Sequence, residues 1–274
     1  MNAISSLPSL EHLLNEVRKI ARIAGDTVMH YYNDMPTHPE FLKFKEDQSP
    51  VTEADMKSHD IIMEELRRLT PEILIISEES QEVPFEKRSE ESTIWIVDPI
   101  DGTGEFLKGN GEFAIHIGLA HLGKAILGVV HIPVSGKTYF AARHHGAFCD
   151  DKGSIKELNV NEVDMTAPFL KIAHSRSYMN EQTMIYIRSF DRPELFPVGS
   201  SLKVMGIAEG IYDFYPKLGS GMLEWDTCAP QIILEEAGGS VVDLERGKPL
   251  EYNKENLLQP DFLAIGKITK YRDT

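Results

Sequence analysis

The chain has 274 residues, of which 42% are hydrophobic and 26% are charged, and it carries a formal net charge of −15 at pH 7. These values are ordinary for a globular protein and fit one large domain or two halves that share a core. The negative charge argues against a nucleic acid polymer as partner, because its phosphates would be repelled. No apolar run approaches the roughly 18 residues that a transmembrane helix needs.

The compartment is indicated by two further features. The first residues lack the basic segment and the unbroken apolar segment of a secretory signal peptide, so we expect a cytoplasmic protein. Peripheral association with the inner membrane is compatible with that expectation. The two cysteines, Cys149 and Cys228, agree with a reducing compartment, and the chain has no CxxC pair of the kind that binds zinc.

The N-terminal segment is predicted to be mainly helical. Hydrophobic residues recur at helical spacing over residues 9–33, which predicts an amphipathic helix. Residues 34–50 are polar and interrupted by prolines, which indicates a loop. A second helix is predicted from Thr52 to Leu69, because Thr52 and Asp55 have the spacing of a capping box.

Short β-type runs follow the second helix. Residues 73–77 and 94–97 are two apolar runs, and each of them ends in a carboxylate. Residues 113–120, 125–132 and 138–142 are predicted to be successive antiparallel strands, because turns rich in glycine separate them.

Strands and helices alternate after about residue 160, which is typical of an α/β arrangement. The predicted elements there are strands at 169–173, 211–215 and 239–243 and helices at 179–189, 201–209 and 226–237. We therefore expect an N-terminal α+β half, residues 1–160, with an antiparallel sheet and most candidate metal ligands. The C-terminal α/β half, residues 161–274, is expected to carry substrate-binding residues. No linker of disordered composition separates the halves, so they are expected to share an interface.

The segment from Asp98 to Gly102 carries the strongest chemical signal. An apolar strand ends there and presents Asp98 and Asp101, while Pro99 stiffens the turn between them and Gly102 can adopt a positive φ. Such a turn can direct both carboxylates and the carbonyl oxygen of Ile100 to one point, and oxygen ligands suit Mg²⁺ or Mn²⁺. The alternative is a β-turn with solvated aspartates, which is the better interpretation of an isolated motif of this kind.

Two further acids are candidate metal ligands. Glu78 follows the strand at 73–77, and Asp226 stands just before an apolar helical stretch. Each has a simpler interpretation, Glu78 as an exposed carboxylate and Asp226 as an ordinary helix N-cap. If these acids converge with Asp98 and Asp101, their mutual repulsion calls for a cation, so the set predicts bound divalent metal and metal-assisted hydrolysis.

A hydrolytic site also needs a group that accepts a proton from the attacking water. Thr103 follows the turn at Asp98–Asp101, and Asp55 lies at the start of the second helix. A Thr–Asp pair could orient and activate a water molecule. The simpler interpretation of Asp55 is the helix cap described above.

Glu78-Glu79-Ser80, the run from Asp98 to Thr103, and Trp225-Asp226 together resemble the three motifs of the inositol monophosphatase superfamily of lithium-sensitive phosphatases. The resemblance implies the layered α-β-α-β-α fold of inositol monophosphatase and fructose-1,6-bisphosphatase, and two or three Mg²⁺ ions that Mn²⁺ could replace. It places Lys45 near the edge of the metal site. The roles it implies are metal ligation by Glu78, Asp98, the carbonyl of Ile100, Asp101 and Asp226, and water activation by Asp55 and Thr103.

Within that superfamily, other segments resemble the 3′(2′),5′-bisphosphate nucleotidases of the CysQ type. These segments are Ser49 to Asp55, Asn110 to Phe113, Ser175 to Ser177 and Gly199 to Lys203. The likeness implies hydrolysis of the 3′-phosphate of adenosine 3′,5′-bisphosphate to AMP and phosphate by metal-activated water. The substrate contacts it implies are Glu78, Gly102, Thr103, Ser175, Tyr178, Gly199, Ser200, Lys203 and Asp226.

The residues themselves support part of this substrate site. Gly199-Ser200-Ser201 opens a predicted helix, so its N–H groups and hydroxyls could bind an anion such as a second phosphate, and Lys203 could add a positive charge. The alternative is a loop with a surface lysine. Two positions depart from the family pattern, because Gly104 replaces the usual lysine and Tyr178 replaces a frequent histidine. An aromatic ring at Tyr178 could still stack on adenine.

Two other functions stay open at this point. One is an inositol-1-phosphate or sugar-phosphate phosphatase on the same scaffold. The other is a non-catalytic protein that keeps the fold and binds anions.

Overall fold

The computed structural model of the chain describes residues 8–34, 42–44, 50–219 and 221–272. The helices are α1 Leu10–Asp34, α2 Glu53–Leu69, α3 Phe85–Arg88, α4 Thr103–Leu107, α5 Glu181–Arg188, α6 Leu202–Ala208 and α7 Glu224–Glu236. The strands are β1 Leu42–Phe44, β2 Pro50–Thr52, β3 Leu74–Ser77, β4 Thr93–Asp101, β5 Ala114–His121, β6 Lys124–Ile132, β7 Lys137–Ala142, β8 Ala147–Asp151, β9 Ser154–Glu157, β10 Glu162–Asp164, β11 Lys171–Ser175, β12 Glu194–Val198, β13 Phe214–Lys217, β14 Ser240–Asp243, β15 Lys248–Pro249, β16 Phe262–Ile265 and β17 Lys267–Lys270.

The predicted helices and strands are confirmed with shifts of a few residues at their ends. The short helices α3 and α4 and the strands β8, β9, β10, β12, β15, β16 and β17 were not predicted, and three further details differ. Within the predicted loop at 34–50, β1 pairs antiparallel with β2. The run at 94–97 is the middle of a longer strand, because β4 continues to Asp101. Asp226 is not the N-cap of α7: Leu223 holds that position, and Asp226 is the third helical residue.

A seven-stranded sheet forms the centre of the first half, with β3 to β9 in sequence order. β3 pairs parallel with β4, and the remaining pairs are antiparallel. Alternate residues of β4 enter different cores, as the period of two in a strand requires. Trp95 and Val97 pack with α1 and α2, whereas Ile94 and Ile96 pack on the opposite face with α6 and α7.

The helices α6 and α7 form a middle layer between two sheets. The second sheet has six strands in the order β12-β11-β13-β16-β14-β15, and its residues Tyr215 and Val241 share a core with Ile232 of α7. Its other face packs against α5 through Ile187. The layers therefore run α-β-α-β-α, and the expected fold class is confirmed. The division into halves at residue 160 stays a prediction.

Two glycines let α7 lie unusually close to the first sheet. A Cβ atom on Gly118 of β5 would lie 2.7 Å from Sγ of Cys228, and one on Gly128 of β6 would lie 2.5 Å from Cγ2 of Ile232. Only residues without a side chain permit this approach. The N-terminal end of α7, which contains Asp226, is thereby brought against the sheet. Among the described residues, no helix combines the length and the apolar character needed to cross a bilayer.

Candidate metal centre and water-activating pair

Three acidic side chains, two from β4 and one from α7, meet at one point. Asp98, Asp101 and Asp226 each offer a carboxylate oxygen, and these oxygens lie within 4.8 Å of one another. Asp98 is buried, whereas Asp101 and Asp226 are partly exposed. The separation of the atoms is small enough for one or more cations to be shared by all three carboxylates.

A β-bulge explains how β4 supplies two of these carboxylates. Residues three apart in a regular strand point to opposite faces of the sheet. Here Asp98 is opposite His116 of β5 and Asp101 is opposite Ala114, with a register shift between the two pairs. Three steps along β4 thus correspond to two along β5, and the extra residue returns Asp101 to the face of Asp98. Both carboxylates therefore face α7.

The turn that contains the bulge is held by hydrogen bonds on both sides. The Ile100 N–H donates to Oδ1 of Asp98 at 3.0 Å, and the Ser58 hydroxyl of α2 donates to the Pro99 carbonyl at 2.8 Å. Gly102, which caps α4, has φ +92°, as its expected role in the turn requires. Burial, followed by the charges of Glu78, Asp101 and Asp226, raises the pKa of Asp98 well above its ordinary value.

Asp226 approaches the cluster from the first turn of α7. Its carboxylate accepts the Leu223 N–H at 2.6 Å, which fixes the side chain against the helix N-terminus. Burial and the nearby charge of Asp101 raise the pKa of Asp226 well above its ordinary value. The helix N-terminus stabilises a carboxylate, but it does not offset these two effects.

The pKa of Asp101 is lowered instead of raised, because several hydrogen-bonding groups face its carboxylate. Oδ2 accepts the Ser201 N–H at 2.6 Å and the Ser200 hydroxyl, and Nε2 of His116 lies 3.3 Å from it. Burial alone would raise the pKa of Asp101. His116, Ser200 and the charge of Lys203 outweigh burial and lower the pKa to about 2. Asp101 is therefore the carboxylate of the cluster that stays ionised.

Glu78 is not one of the three residues whose carboxylate oxygens lie within 4.8 Å of one another, but it lies beside them. It follows β3, and its N–H donates to the Val97 carbonyl at 3.2 Å. Its charge contributes to the raised pKa of Asp98, Asp226 and Asp55, so it lies near all of them. Lys45, expected near the edge of this site, lies outside the described residues.

The chemistry of these donors fits a hard divalent cation. The carboxylate oxygens of the three aspartates are the ligands that Mg²⁺ and Mn²⁺ prefer. Without a cation, the pKa values of two of the three aspartates are raised, first by burial and then by mutual repulsion of the carboxylates. Divalent cations would remove that repulsion, so their binding is favoured by electrostatics as well as by ligand type.

The expected Thr–Asp pair is assembled at the edge of this cluster. The Thr103 hydroxyl lies 3.1 Å from Oδ1 of Asp55 and 3.3 Å from the Ile100 carbonyl oxygen. The Thr52 N–H donates to Oδ2 of Asp55 at 2.8 Å and the Asp55 N–H donates to Oγ1 of Thr52 at 3.3 Å, which completes the predicted capping box. The Thr52 hydroxyl also donates to Oδ2 of Asp55 at 2.5 Å. Burial raises the pKa of Asp55 to about 6, although the hydrogen bonds from Thr52 and Thr103 oppose the shift.

The turn at Gly199–Ser201 binds anions, but these are carboxylates of the chain itself. The Gly199 N–H donates to Oε2 of Glu112 at 2.7 Å, and Ser200 and Ser201 donate to Asp101. Lys203 is buried instead of lying at the surface, and Nζ donates to the carbonyls of Val198 and Ser200. The structure thus differs from the expectation that these donors face a second phosphate.

The remaining predicted substrate contacts lie at the mouth of the site. Ser175 ends β11 and accepts the Tyr178 N–H through its hydroxyl at 3.1 Å. Tyr178 is 74% exposed, and its hydroxyl would lie 3.1 Å from a Cβ atom on Gly104. The two departures from the family pattern are therefore neighbours in space. A side chain at position 104 would compete with the tyrosine for the same volume.

Sequence reasoning missed two residues that hold the site together. His116 is fully buried and contacts Asp101, Ser201 and the Trp225 carbonyl. Glu112 accepts a bidentate pair of hydrogen bonds from Arg176, at 2.6 Å each, as well as the Gly199 N–H. The sequence contained a signal for His116, because it is the one polar residue on the face of β5 that also carries Ala114, Gly118 and Ala120. Glu112 had no such pattern.

Comparisons with known proteins agree with this geometry. A family model described as the inositol monophosphatase family matches residues 9–269. The chain is 40% identical over 251 residues to the 3′(2′),5′-bisphosphate nucleotidase CysQ of Escherichia coli O6:H1, a match that covers 91% of this chain and 98% of that protein. It is 35% identical over 258 residues to the CysQ of Haemophilus influenzae, with 93% of each chain covered.

A solved structure extends the likeness to three dimensions. The crystal structure of CysQ from Bacteroides thetaiotaomicron, described as a bacterial member of the inositol monophosphatase family, matches with a TM-score of 0.78 at 32% identity. The match covers 90% of this chain and 94% of that one. The order of layers is therefore shared over nearly the full length of both chains.

Proposed function

The chain belongs to the inositol monophosphatase family, and from this we propose that it is a Mg²⁺-dependent 3′(2′),5′-bisphosphate nucleotidase, a hydrolase that converts adenosine 3′,5′-bisphosphate to AMP and phosphate. The observation that carries the proposal is the convergence of Asp98, Asp101 and Asp226 beside the Thr103–Asp55 pair. Relatives named as this nucleotidase are 35–40% identical over most of their length, which supports the choice of substrate.

The proposed metal ligands are the side chains of Glu78, Asp98, Asp101 and Asp226 and the carbonyl oxygen of Ile100. They would hold two or three Mg²⁺ ions, which Mn²⁺ could replace. When bound, such ions supply Lewis acidity at the phosphoryl group and at the attacking water. Asp101 keeps its negative charge through its donors, whereas burial and the neighbouring carboxylates raise the pKa of Asp98 and of Asp226, an effect that bound cations would oppose.

The proposed water-activating pair is Thr103 and Asp55. A water that donates to Oγ1 of Thr103 would be oriented toward the phosphorus atom, while the threonine hydroxyl hydrogen points to Oδ1 of Asp55. As the water attacks, its proton passes to Oγ1 and the threonine proton passes to Asp55. A carboxylate with a pKa of about 6 is suited to this task near neutral pH, because it is ionised yet basic enough to accept a proton.

The proposed substrate contacts beyond the metal site are Gly102, Ser175 and Tyr178, with Lys203 as a nearby positive charge, because the donors of Gly199 and Ser200 are engaged by Glu112 and Asp101. Gly102 allows close backbone approach, and the exposed ring of Tyr178 offers a flat apolar surface to an aromatic base. Lys203 contributes its charge from beneath the site, since it is buried. A small anionic metabolite suits this arrangement, and a nucleic acid polymer does not, given the net charge of −15. The two free, buried thiols agree with a cytoplasmic enzyme.

A substrate panel tests the proposal. We expect hydrolysis of adenosine 3′,5′-bisphosphate in Mg²⁺, none in excess chelator, and a kcat/KM at least about tenfold higher than for inositol 1-phosphate or a sugar phosphate, which corresponds to about 1.4 kcal/mol. Preference for inositol phosphate would overturn the nucleotide assignment. Asp101→Asn is the matched variant, and it should keep the fold and lose turnover. Absence of phosphate release from every compound would favour the non-catalytic anion-binding alternative.

A further inference from the structure

The imidazole of His116 joins three elements around the carboxylate cluster. Nδ1 lies 3.2 Å from the Trp225 carbonyl oxygen, one residue before Asp226, and Nε2 lies 2.6 Å from Oγ of Ser201. The same Nε2 lies 3.3 Å from Oδ2 of Asp101. One ring thus contacts Asp101 itself and the peptide unit that precedes Asp226.

The direction of these contacts is set by chemistry. A carbonyl oxygen can only accept, so Nδ1 carries a hydrogen and donates to Trp225. Nε2 lies 2.6 Å from the Ser201 hydroxyl, and the backbone N–H of Ser201 donates to Asp101 at 2.6 Å. The links run from α7 through β5 to the N-terminal end of α6 and back to the end of β4.

Among the residues that the structure describes, the polar side-chain contacts of His116 are those with Trp225, Ser201 and Asp101. Its side chain is fully buried on the face of β5 that also carries Gly118, against which α7 packs. Because the ring is fully buried, water does not satisfy its nitrogen atoms. A buried polar group that loses its hydrogen-bond partner costs free energy. The ring is therefore held in one orientation by the elements that it joins.

We propose that His116 is a positioning residue that sets the distance between Asp101 and Asp226, and through it the affinity of the carboxylate cluster for divalent cations. The inference rests on the proposed function, because it assigns the cluster to metal. It does not make His116 a ligand or an acid–base group. Its loss should raise the metal concentration that the enzyme needs, with a much smaller effect on kcat once metal is saturating.

Titration with Mn²⁺, monitored by the electron paramagnetic resonance signal of the free ion, measures this affinity without turnover. His116→Ala should weaken Mn²⁺ binding by about ten- to a hundredfold, the usual effect of removing a group that orients metal ligands. His116→Asn keeps a donor near Nδ1, and His116→Gln keeps a polar atom near Nε2. Each should fall between wild type and His116→Ala, because each retains one end of the link.

His131 supplies the matched control. It is also a buried strand histidine, but it lies on β6 and bonds Thr138, away from the cluster. His131→Ala should lower thermal stability and leave Mn²⁺ affinity within about twofold of wild type. If His116→Ala does not fold, Ser201→Ala removes the Nε2 partner from the other side and should also weaken Mn²⁺ binding.

The outcomes separate this inference from the proposed function. A wild-type protein that binds no Mn²⁺ contradicts the proposed metal dependence itself. Wild-type affinity in the His116 and Ser201 variants, with normal Mn²⁺ binding and turnover in the parent enzyme, overturns only the positioning role. An equal loss in His131→Ala would do the same, since it would show that any buried strand histidine has the effect.

Discussion

The hydroxyl of Thr103 lies 3.1 Å from Oδ1 of Asp55, although 48 positions separate the two residues in the chain. Asp55 is fixed from its other side by Thr52, so the carboxylate has one direction in which to act. The Ile100 carbonyl oxygen competes weakly for the same hydroxyl at 3.3 Å. Because Ile100 belongs to the turn with the metal-ligand candidates, Thr103 stands between the proposed metal site and the proposed base.

The first prediction concerns this pair. Thr103→Val keeps the shape of the side chain and removes the hydroxyl, and Asp55→Asn removes the charge but not the capping oxygen. Each should lower kcat by about 10²- to 10⁴-fold, the usual contribution of general base catalysis, with little change in Mn²⁺ affinity. Thr103→Ser, which keeps the hydroxyl, is the control and should retain most activity. Steady-state kinetics at saturating metal provide the measurement, and a fully active Thr103→Val enzyme would contradict the proposed role.

The second prediction follows from the raised pKa values of Asp98 and Asp226. Both are raised by burial and by the surrounding carboxylates, so without metal these groups hold protons at pH values where ordinary aspartates do not. Metal must displace those protons. Affinity for Mg²⁺ should therefore rise with pH below neutrality, and binding should release protons into the buffer.

Calorimetric titration in two buffers of different ionisation enthalpy, at matched pH, measures the proton count directly. Asp98→Asn is the matched variant, because it removes one titrating group from the cluster and should reduce the number of protons released. A proton count of zero in the wild-type enzyme at every acidic pH where it binds metal would contradict the prediction.

The sequence indicated the longer helices and the strands β3 to β7, β11, β13 and β14, because periodicity and turn residues are local properties. The capping box of Thr52 and Asp55 and the apolar run inside β4 were visible in the residue pattern and are confirmed. The bulge in β4 was not visible, since it depends on the register between Asp101 and a different strand. Without the bulge, the period of two would have placed Asp98 and Asp101 on opposite faces.

The sequence could not predict which anions the donors of the Gly199–Ser201 turn bind, for a related reason. The pattern predicted anion-binding donors, and the structure contains them. Which anion they bind depends on Asp101 and Glu112, which lie about a hundred positions away and reach the turn only through the packing of two sheets. Long-range pairing of this kind has no signature in a single chain. The buried state of Lys203 has the same origin.

The third prediction concerns the packing of α7. A methyl group on Gly128 would lie 2.5 Å from Ile232 and 2.6 Å from the Ala229 carbonyl oxygen, so Gly128→Ala must push α7 away from the sheet. Overpacking of this kind costs about 1–3 kcal/mol. Since Asp226 is in the first turn of α7, Mn²⁺ affinity should fall along with stability.

Gly25→Ala is the matched control for this prediction. A Cβ atom on Gly25 of α1 would lie 2.5 Å from the ring of His131, on the opposite face of the same sheet from α7. It should lower the melting temperature by a similar amount and leave Mn²⁺ affinity unchanged. Parallel thermal denaturation and metal titration of the two variants measure both effects, and equal metal affinities would contradict the link between Gly128 and Asp226.

The last prediction concerns the pH dependence of stability. Burial, together with the positive charge of Arg22, lowers the pKa of His131 from 6.5 to about 4. The Thr138 hydroxyl accepts from Nε of Arg22 at 3.2 Å, so its own hydrogen is free to donate to Nδ1 of His131 at 3.0 Å. The neutral imidazole is therefore the acceptor, and protonation would remove that hydrogen bond and place two positive charges side by side.

The direction in which stability changes with pH follows from the lowered pKa of His131 in the folded chain. Between pH 6.5 and about 4 the unfolded chain binds a proton at His131 and the folded chain does not, so stability is full above pH 6.5 and falls as the pH approaches 4. The loss from this group is roughly 2–3 kcal/mol. His131→Gln removes the titration, so the difference in unfolding free energy between wild type and variant should shrink by about that amount over this range, as measured by urea denaturation at several pH values. The exposed His145 provides the control, because His145→Gln should leave that difference constant. A constant difference for His131→Gln would show that the folded protein accepts a proton at this histidine as readily as the unfolded chain does.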